Sequence, residues 1–273
     1  MGSTAEIIAV GCSHGEAIEE AVQRVDQLER RWSRFIDTSE VSVLNHRAGT
    51  PVPVSEETML LVELGCDGWA RTDGRFDPTV LHAVEANGYS VSFDRMADTA
   101  AVARPRPAEV AGCDSIVIDR SGRTVRLPPD GGFDPGGIGK GLAADLVGHR
   151  LRAAGVESGC VSIGGDLRIW GLGPAGRRWR IGTGGRTIEI TDVGIATSGS
   201  QRRAWELDGD LVNHLIDPST LRSTTAGPVA VTVVAGSAWQ AETYATALMV
   251  TPPASIPDDL ERWGVVAFLT RTS

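Results

Sequence analysis

The sequence predicts a mixed α/β or α+β fold in a single domain that spans residues 1–273. Three observations favour this class. Strand-like and helix-like segments alternate along the chain, no internal repeat or low-complexity tract interrupts them, and the most loop-like stretch, residues 94–110, is too short to separate two domains. A chain of 273 residues also buries enough apolar surface to fold without disulfide or zinc staples.

Each element is predicted from a local pattern. The first strand is predicted over residues 5–12, and apolar residues that recur every three or four positions from Ile18 to Phe35 predict an amphipathic helix. Ser55, followed by two glutamates, is typical of a helix N-cap and predicts a helix to about Thr72. Two more helices are predicted at about 140–154 and 238–250. The remaining strands are predicted at 114–119, 159–170, 178–182, 187–190, 229–235 and 264–270.

Composition and charge exclude several classes of protein. No apolar run approaches the roughly 20 residues of a membrane-spanning helix, so no membrane span is expected. The 26 basic and 35 acidic side chains give a net charge of −9, which argues against a nucleic-acid partner. An anionic ligand must therefore be met by a local cationic cluster or a metal.

The N-terminus lacks the features of a secretory signal, so we expect a cytoplasmic protein. The four cysteines of the chain form no C-x-x-C pair and are expected to be reduced. They are Cys12, Cys66, Cys113 and Cys160.

Two glycine-rich segments resemble nucleotide-binding motifs, and both fail on context. Residues 171–176 match G-x-G-x-x-G, but a predicted strand follows where a dinucleotide-binding turn needs a helix, so a hairpin loop is predicted. Residues 136–141 resemble a P-loop, but Asp134 and Gly141 stand where that motif needs a glycine and a hydroxyl residue. Neither segment is therefore predicted to be a Rossmann or Walker A motif.

The 136–141 segment still has the chemistry of an anion site. Its glycines let backbone N–H groups converge, and the helix predicted to start near Lys140 adds the positive end of its dipole. Lys140 is the only lysine among the 26 basic residues, which favours a task that a compact ammonium fits better than a guanidinium. The alternative is a plain turn at the start of a helix with an exposed lysine.

Two residue pairs carry candidate chemistry. Glu242 and Thr246 lie one turn apart on one face of a predicted helix, and their oxygens suit Mg²⁺, which takes further ligands from water and phosphates. A solvated glutamate is the alternative. His214 and Asp217 are a candidate base and its orienting partner, and the alternative is a histidine that bonds only a backbone carbonyl.

Two further segments are candidates for ligand contact. Residues 164–166 interrupt a strand-like run with two glycines, where a ligand can approach the backbone closely, and a β-bulge is the alternative. Residues 197–199, followed by Arg202 and Arg203, are candidates to hold an anionic or polar group. The alternative there is a turn with a solvated basic pair.

Taken together and in chain order, these segments resemble the ApbE family, the FAD:protein FMN transferases. The matches cover nearly the whole chain. Four of them follow a family pattern: Met1-Gly2-Ser3 is similar to M-G-T, Phe35 to Asn45 to aromatic-x-D-x-S-E-x-S-x-x-N, Gly74 to Val80 to G-x-F-D-P-T-V, and Gly88-Tyr89 to a G-Y step. The other matching segments are Asp134 to Gly141 with Asp145 four residues on, Ile163 to Asp166, Ala196 to Gly199, His214 to Pro218, and the helix with Glu242 and Thr246. Each motif is modest, and their common order makes the resemblance specific.

The resemblance implies a fold, a reaction and a set of site residues. The fold is a two-layer α/β arrangement related to the T-fold. The reaction is Mg²⁺-dependent transfer of FMN from FAD to a threonine or serine hydroxyl of a partner protein, with release of AMP. The implied metal ligands are Glu242, Thr246 and the carbonyl of Gly139. The implied FAD contacts are Phe35, Asn45, Asp77, Thr79, Gly136, Gly137, Lys140, Asp145, Gly164, Gly165, Asp166, Ser198 and Gly199.

Roles within that reaction follow from its chemistry. Attack on a pyrophosphate needs charge neutralisation and a proton acceptor, so we expect Lys140 to hold phosphate oxygens and His214, oriented by Asp217, to act as the base. We expect Lys140→Ala and Glu242→Ala to cut turnover with little change in melting temperature. Glu242 stands where the family has aspartate, and Leu221 where it has glycine, which motivates a non-catalytic FAD-binding protein as one alternative. An FAD pyrophosphatase, in which water attacks, is the other.

Overall fold

A computed structural model describes residues 3–11, 15–96, 107, 109–183, 185–201, 203–224 and 228–270. Within them the α-helices are α1 (Gly15–Trp32), α2 (Glu40–His46), α3 (Glu56–Arg71), α4 (Leu81–Ala86), α5 (Phe93–Met96), α6 (Gly139–Ala153), α7 (Ala238–Val250) and α8 (Ile256–Trp263). The β-strands are β1 (Ala5–Val10), β2 (Val52–Pro53), β3 (Val117–Asp119), β4 (Thr124–Arg126), β5 (Ser158–Ile163), β6 (Asp166–Trp170), β7 (Trp179–Thr183), β8 (Arg186–Ile190), β9 (Gly194–Gly199), β10 (Ala204–Leu207), β11 (Asp210–Asn213), β12 (Ile216–Asp217), β13 (Arg222–Ser223), β14 (Ala230–Ala235) and β15 (Val266–Thr270).

The centre of the fold is a six-stranded antiparallel sheet in the order β1-β5-β6-β9-β14-β15. Alternate residues of its strands face a helical layer: Val161 and Ile163 of β5 and Val231 and Val233 of β14 are buried in that layer. Helices α6 and α7 pack against each other and against the sheet, and α1 packs on α6. One face of the sheet is thus covered by helices.

The opposite face of the sheet is partly covered by the β7–β8 hairpin. Cys160, Ile169 and Ile195 point to this side from β5, β6 and β9 and pack with Trp179 of β7. The remaining strands form small sheets in the order β2-β4-β3, β10-β11 and β12-β13. The expected mixed class, with helices layered on a sheet, is confirmed.

The long helices begin and end close to the residues that their sequence patterns predict. The Ser55 hydroxyl accepts a hydrogen bond from the Thr58 N–H at 3.3 Å and caps α3 as predicted. Helix α7 begins at Ala238, directly after Ser237, and α6 begins at Gly139, within one residue of the prediction. Helix α1 ends at Trp32, before the last apolar position that the periodicity included.

One strand prediction and one loop prediction are wrong. The run 159–170 is a hairpin of β5 and β6, because Gly164 and Gly165 take φ values of +62° and +93° and close a two-residue turn between Ile163 and Asp166. The 171–176 loop leads to β7, which pairs with β8 and not with β6, so the loop is not a hairpin turn. Residues 197–199, considered as a turn, lie in β9. Strand pairing decides these cases, and periodicity does not carry that information.

Several predictions fall on residues outside the described ranges: Met1, Gly2, Cys12, Arg202 and most of 94–110. Within the described ranges, no helix combines the length and the apolar character that crossing a bilayer requires. Cys66, Cys113 and Cys160 are free thiols, as expected. The cytoplasmic location and the single-domain assignment stay predictions.

Candidate functional site

A cavity of about 660 Å³ is lined by β1, the β5–β6 turn, β9, the start of α6 and the middle of α7. Segments that are far apart in the sequence therefore meet at one place. The predicted site residues that line this cavity are Phe35, Asp77, Gly136, Gly137, Gly139, Lys140, Gly164, Gly165, Asp166, Ser198, Gly199, His214, Glu242 and Thr246.

A charged cluster that lines the cavity is built around Lys140, in the first turn of α6. Its Nζ lies 2.6 Å from Oδ2 of Asp166, at the start of β6, and contacts Oε1 of Glu242 in α7. The other oxygen of Glu242 accepts a hydrogen bond from the Gly141 N–H at 2.8 Å. The Asp166 and Glu242 side chains are 4% and 3% exposed, so the lysine lies between two buried carboxylates.

This cluster has more negative than positive groups, and the pKa values reflect that. Burial lowers the pKa of the Lys140 ammonium, but the attraction of Asp166 and Glu242 outweighs it, and the pKa is raised overall. Burial raises the pKa of the Glu242 carboxyl, and the charge of Asp166 adds to that rise, against the lowering by Lys140. A further cation beside these carboxylates would offset the excess negative charge.

Oxygen atoms suited to a divalent cation lie beside this cluster. The Thr246 hydroxyl, one turn after Glu242, is 3.3 Å from the Ser198 hydroxyl, and Gly139 lines the same cavity. Carboxylate, hydroxyl and carbonyl oxygens are the hard ligands that Mg²⁺ takes. The described ranges contain no cluster of three or more His, Cys, Asp or Glu side chains that could hold a metal by themselves. The donor set therefore fits a Mg²⁺ ion that completes its shell with water and phosphate oxygens.

The glycine turn before α6 approaches this cluster closely. The Gly136 N–H donates to Oδ1 of Asp134 at 2.9 Å. One of the backbone N–H groups of the predicted anion site therefore binds a carboxylate of the protein itself. A Cβ at Gly137 would lie 2.9 Å from the Phe76 ring and 3.1 Å from the Thr246 hydroxyl. The absence of a side chain at Gly137 thus lets the turn pack against the helix that carries the candidate metal ligands.

His214 lines the cavity, and its partner is a backbone carbonyl instead of Asp217. Its Nδ1 lies 3.4 Å from the carbonyl oxygen of Arg203, which can only accept, so Nδ1 carries the proton and Nε2 is left as an acceptor. Burial, with the charges of Arg203 and Lys140, lowers the pKa of His214 to about 4, so the imidazole is neutral at pH 7. Asp217 instead accepts hydrogen bonds from the N–H and hydroxyl of Ser219, at 2.9 and 2.7 Å.

Aromatic side chains, among them Phe35 and Tyr89, also line the cavity. The ring centroids of Phe35 and Tyr89 are 5.6 Å apart, and those of Tyr89 and Trp205 are 5.4 Å apart. Arg34 lies against the first two rings and also lines the cavity. Sequence reasoning missed Arg34, because a charged residue at the end of an amphipathic helix is usually solvated. The one available signal was its place directly before Phe35, where the aromatic-x-D-x-S-E family motif begins.

Asn45 and Thr79 support the wall of the cavity and do not line it. Asn45 donates to the carbonyl of Phe133 at 3.0 Å and accepts from the N–H of Phe133 at 2.7 Å. The Thr79 hydroxyl donates to Oδ1 of Asp77 at 2.6 Å and accepts from the Gly112 N–H at 3.1 Å. Burial raises the pKa of Asp77, and the hydrogen bonds that its carboxylate accepts from Thr79 lower it in part. Asn45 and Thr79 thus connect segments that are far apart in the chain, Asn45 through Phe133 and Thr79 through Gly112.

Asp145 likewise acts away from this cavity. Its two carboxylate oxygens accept hydrogen bonds from the N–H groups of Ala238 and Trp239, at 3.0 and 2.9 Å. A carboxylate on α6 therefore caps the start of α7, where it meets the positive end of the helix dipole. The predicted FAD contact at Asp145 is, in this structure, a contact between the two helices that carry Lys140 and Glu242.

Comparison with known proteins identifies the family. The ApbE family profile matches residues 1–269. The chain belongs to the ApbE family. Its relatives include proteins named FAD:protein FMN transferase from Klebsiella pneumoniae strain 342, 31% identical over 277 residues that cover 96% of this chain and 79% of that protein. Another of that name, from Salmonella typhimurium, is 31% identical over 291 residues, which cover 98% of this chain and 81% of that protein. The expectation of a transferase is confirmed.

Solved ApbE structures have the same fold. The apo form of flavinyl transferase ApbE from Pseudomonas stutzeri superposes with a TM-score of 0.81 at 27% identity, covering 99% of this chain and 92% of the other. A mutant of flavin transferase ApbE from Vibrio cholerae gives a TM-score of 0.84 at 27% identity, covering 100% and 92%. The predicted ApbE architecture is thus confirmed over nearly the whole length of the chain.

Proposed function

We propose that this ApbE-family protein transfers FMN from FAD to a threonine or serine hydroxyl of a partner protein, in the presence of Mg²⁺, and releases AMP. The observation that supports this most is one cavity that is lined both by aromatic rings, at Phe35 and Tyr89, and by a charged cluster, at Lys140, Asp166 and Glu242. FAD has both kinds of group, because a pyrophosphate joins its two planar ring systems. The names of the relatives point to the same substrate.

The charged cluster has the groups that a pyrophosphate and its metal need. Glu242, Thr246 and the Gly139 carbonyl would hold Mg²⁺, with the carboxylate of Asp166 beside them. When bound, Mg²⁺ supplies positive charge for the about two negative charges of a pyrophosphate. Lys140 orients both carboxylates and adds a fixed positive charge to the same place.

His214 is the proposed proton acceptor. Its Nδ1–H faces the Arg203 carbonyl, so Nε2 is the atom that takes the proton of the attacking hydroxyl. The hydroxyl oxygen bonds to the phosphorus of the FMN half, the bond from that phosphorus to the bridging oxygen breaks, and AMP leaves with the electron pair. Anionic phosphates beside His214 would raise its pKa from the low value that burial imposes.

The test of the proposal combines purified protein, FAD, MgCl₂ and a panel of threonine- and serine-containing acceptor proteins. Mass spectrometry follows covalent FMN on the acceptor, and chromatography follows AMP. We expect both products in equal amounts, and we expect EDTA to abolish both. The His214→Ala variant should lose both products as well.

Two other results would contradict the transfer proposal and identify its alternatives. AMP released without an adduct on any acceptor would mean that water attacks, as in an FAD pyrophosphatase. FAD bound without AMP release, whichever divalent metal is added, would mean a non-catalytic FAD-binding protein. An acceptor adduct with AMP is the result that neither alternative allows.

A further inference from the structure

We propose that Arg34 is a positioning residue that holds Phe35 and Tyr89 as an aromatic wall for one planar heteroaromatic ring of the ligand. The inference rests on the proposed function and deepens it, because it names the chemistry that this part of the cavity takes. The flavin and the adenine of FAD are the two sources of such a ring, and the experiment below distinguishes them.

The guanidinium of Arg34 joins two aromatic residues that come from different segments. Its Cζ lies 4.2 Å from the centroid of the Phe35 ring and 4.7 Å from that of the Tyr89 ring. Its Nη2 also donates a hydrogen bond to the backbone carbonyl of Tyr89 at 2.8 Å. Arg34 and Phe35 follow α1, whereas Tyr89 follows α4. One side chain therefore sets the distance and tilt between two parts of the wall.

The surroundings of Arg34 fix its position and compensate its charge. Its side chain is 6% exposed, and a guanidinium so deeply buried needs an anionic partner. Asp134 provides one, because its Oδ2 lies 3.5 Å from Nε of Arg34 while its Oδ1 accepts from the Gly136 N–H. The pair with Asp134 offsets the charge of Arg34. Its contribution to binding is thus geometric, in contrast to that of Lys140.

Lysine cannot reproduce this arrangement. Arginine has a planar face that stacks on rings and a rigid fork of donors, whereas lysine offers one compact charge on a flexible stem. At Arg34, the face meets Phe35 and Tyr89 and the fork reaches the Tyr89 carbonyl and Asp134. Arg34→Lys therefore keeps the charge and removes the wall geometry, which makes it a sharper variant than alanine.

The experiment measures FMN and AMP binding separately, by competition against FAD, in the wild type, Arg34→Lys and Arg34→Met. Arg31→Lys is the matched control: Arg31 lies three residues away, pairs with Glu57 at 2.7 Å and does not line the cavity. We expect each Arg34 variant to weaken one of the two nucleotides about tenfold or more, the scale of a hydrogen bond from a charged donor, and the other by less than about twofold. Loss for FMN places the flavin at the wall, and loss for AMP places the adenine there.

Turnover of FAD provides a second readout. Substitution of a residue that positions the ring should raise KM about tenfold and leave kcat nearly unchanged, because the lost interaction stabilises the bound ground state and the transition state alike. Unchanged binding of both nucleotides would overturn the inference. So would an equal loss for both nucleotides together with a lower melting temperature, which is the result of a merely structural arginine. A wild type that neither binds nor cleaves FAD would overturn the proposed function instead, before any variant is compared.

Discussion

Lys140→Met is expected to destabilise the protein as well as inactivate it. The ammonium of Lys140 contacts Asp166 and Glu242, whose side chains are 4% and 3% exposed. Methionine keeps most of the apolar stem but leaves two buried carboxylates beside each other without a cation. This corrects the expectation from sequence of an almost unchanged melting temperature, because that expectation treated Lys140 as a surface residue.

The size of the effect follows from the burial. Removing one partner of a buried ion pair costs about 3–5 kcal/mol, most of it from the charge left behind. Over 273 residues the entropy of unfolding is on the order of 0.6 kcal/mol/K. The melting temperature of Lys140→Met is therefore expected to fall by roughly 5–9 °C in metal-free buffer.

The assay is calorimetry in EDTA on Lys140→Met, Glu242→Gln and the double variant. Glu242→Gln removes one of the two carboxylates that Lys140→Met leaves without a cation. The free energy of unfolding that the double variant loses should therefore be smaller than the sum of the two single losses by about 1–3 kcal/mol. Arg150→Met is the control on the same helix, since Arg150 forms an exposed ion pair with Glu20 at 3.1 Å. Exposed pairs contribute about 0–1 kcal/mol.

Two results would refute this reasoning. One is a fall in melting temperature for Lys140→Met that is no larger than the fall for Arg150→Met. The other is strict additivity in the double variant, which would mean that Lys140 and Glu242 do not share a buried charge cluster.

Three further predictions concern the packing of the site and its proton acceptor. Gly141→Ala should lower stability by about 1–3 kcal/mol in urea, because its Cβ would overlap the Ala238 carbonyl oxygen; an unchanged midpoint would contradict this contact. Asp145→Ala removes both acceptors at the start of α7 and should cost about 1–2 kcal/mol, with faster amide hydrogen exchange at Ala238, and wild-type exchange rates there would disprove the cap. His214→Ala should lower kcat about 10²- to 10⁴-fold, whereas Asp217→Ala should leave it within about twofold; equal losses would mean that the two act as a pair after all.

The four long helices could be predicted from sequence, whereas the short helices and the pairing of the strands could not. The cap at Ser55 is a local signal, so it survives in the fold, whereas the start of α7 after Ser237 is capped by Asp145 from another helix. The turn at Gly164 and Gly165 splits one predicted strand into two, because a hairpin and a continuous strand have the same alternation of side chains until their partners are known. The small strands β10 to β13, from Ala204 onward, were not predicted from sequence.

The candidate site shows the same division. Residue chemistry and motif resemblance named Lys140, Asp166, Glu242 and Thr246, and the fold brings all four to one cavity. They could not show that Lys140 pairs with both carboxylates, because those side chains come from segments that are far apart in the chain. They also could not find Arg34, whose role depends on rings and a carboxylate brought to it from elsewhere.

The amino-acid sequence by itself determined the family, the approximate bounds of the four long helices and the identity of most residues that carry the candidate chemistry, because these depend on residue types and short spacings. Tertiary structure alone decided which of those groups touch: that Asp145 caps α7, that Asp217 closes a turn, and that the partner of His214 is a carbonyl. The physical reason is that burial and pairing, which set charge, pKa and orientation, arise only when distant segments pack together.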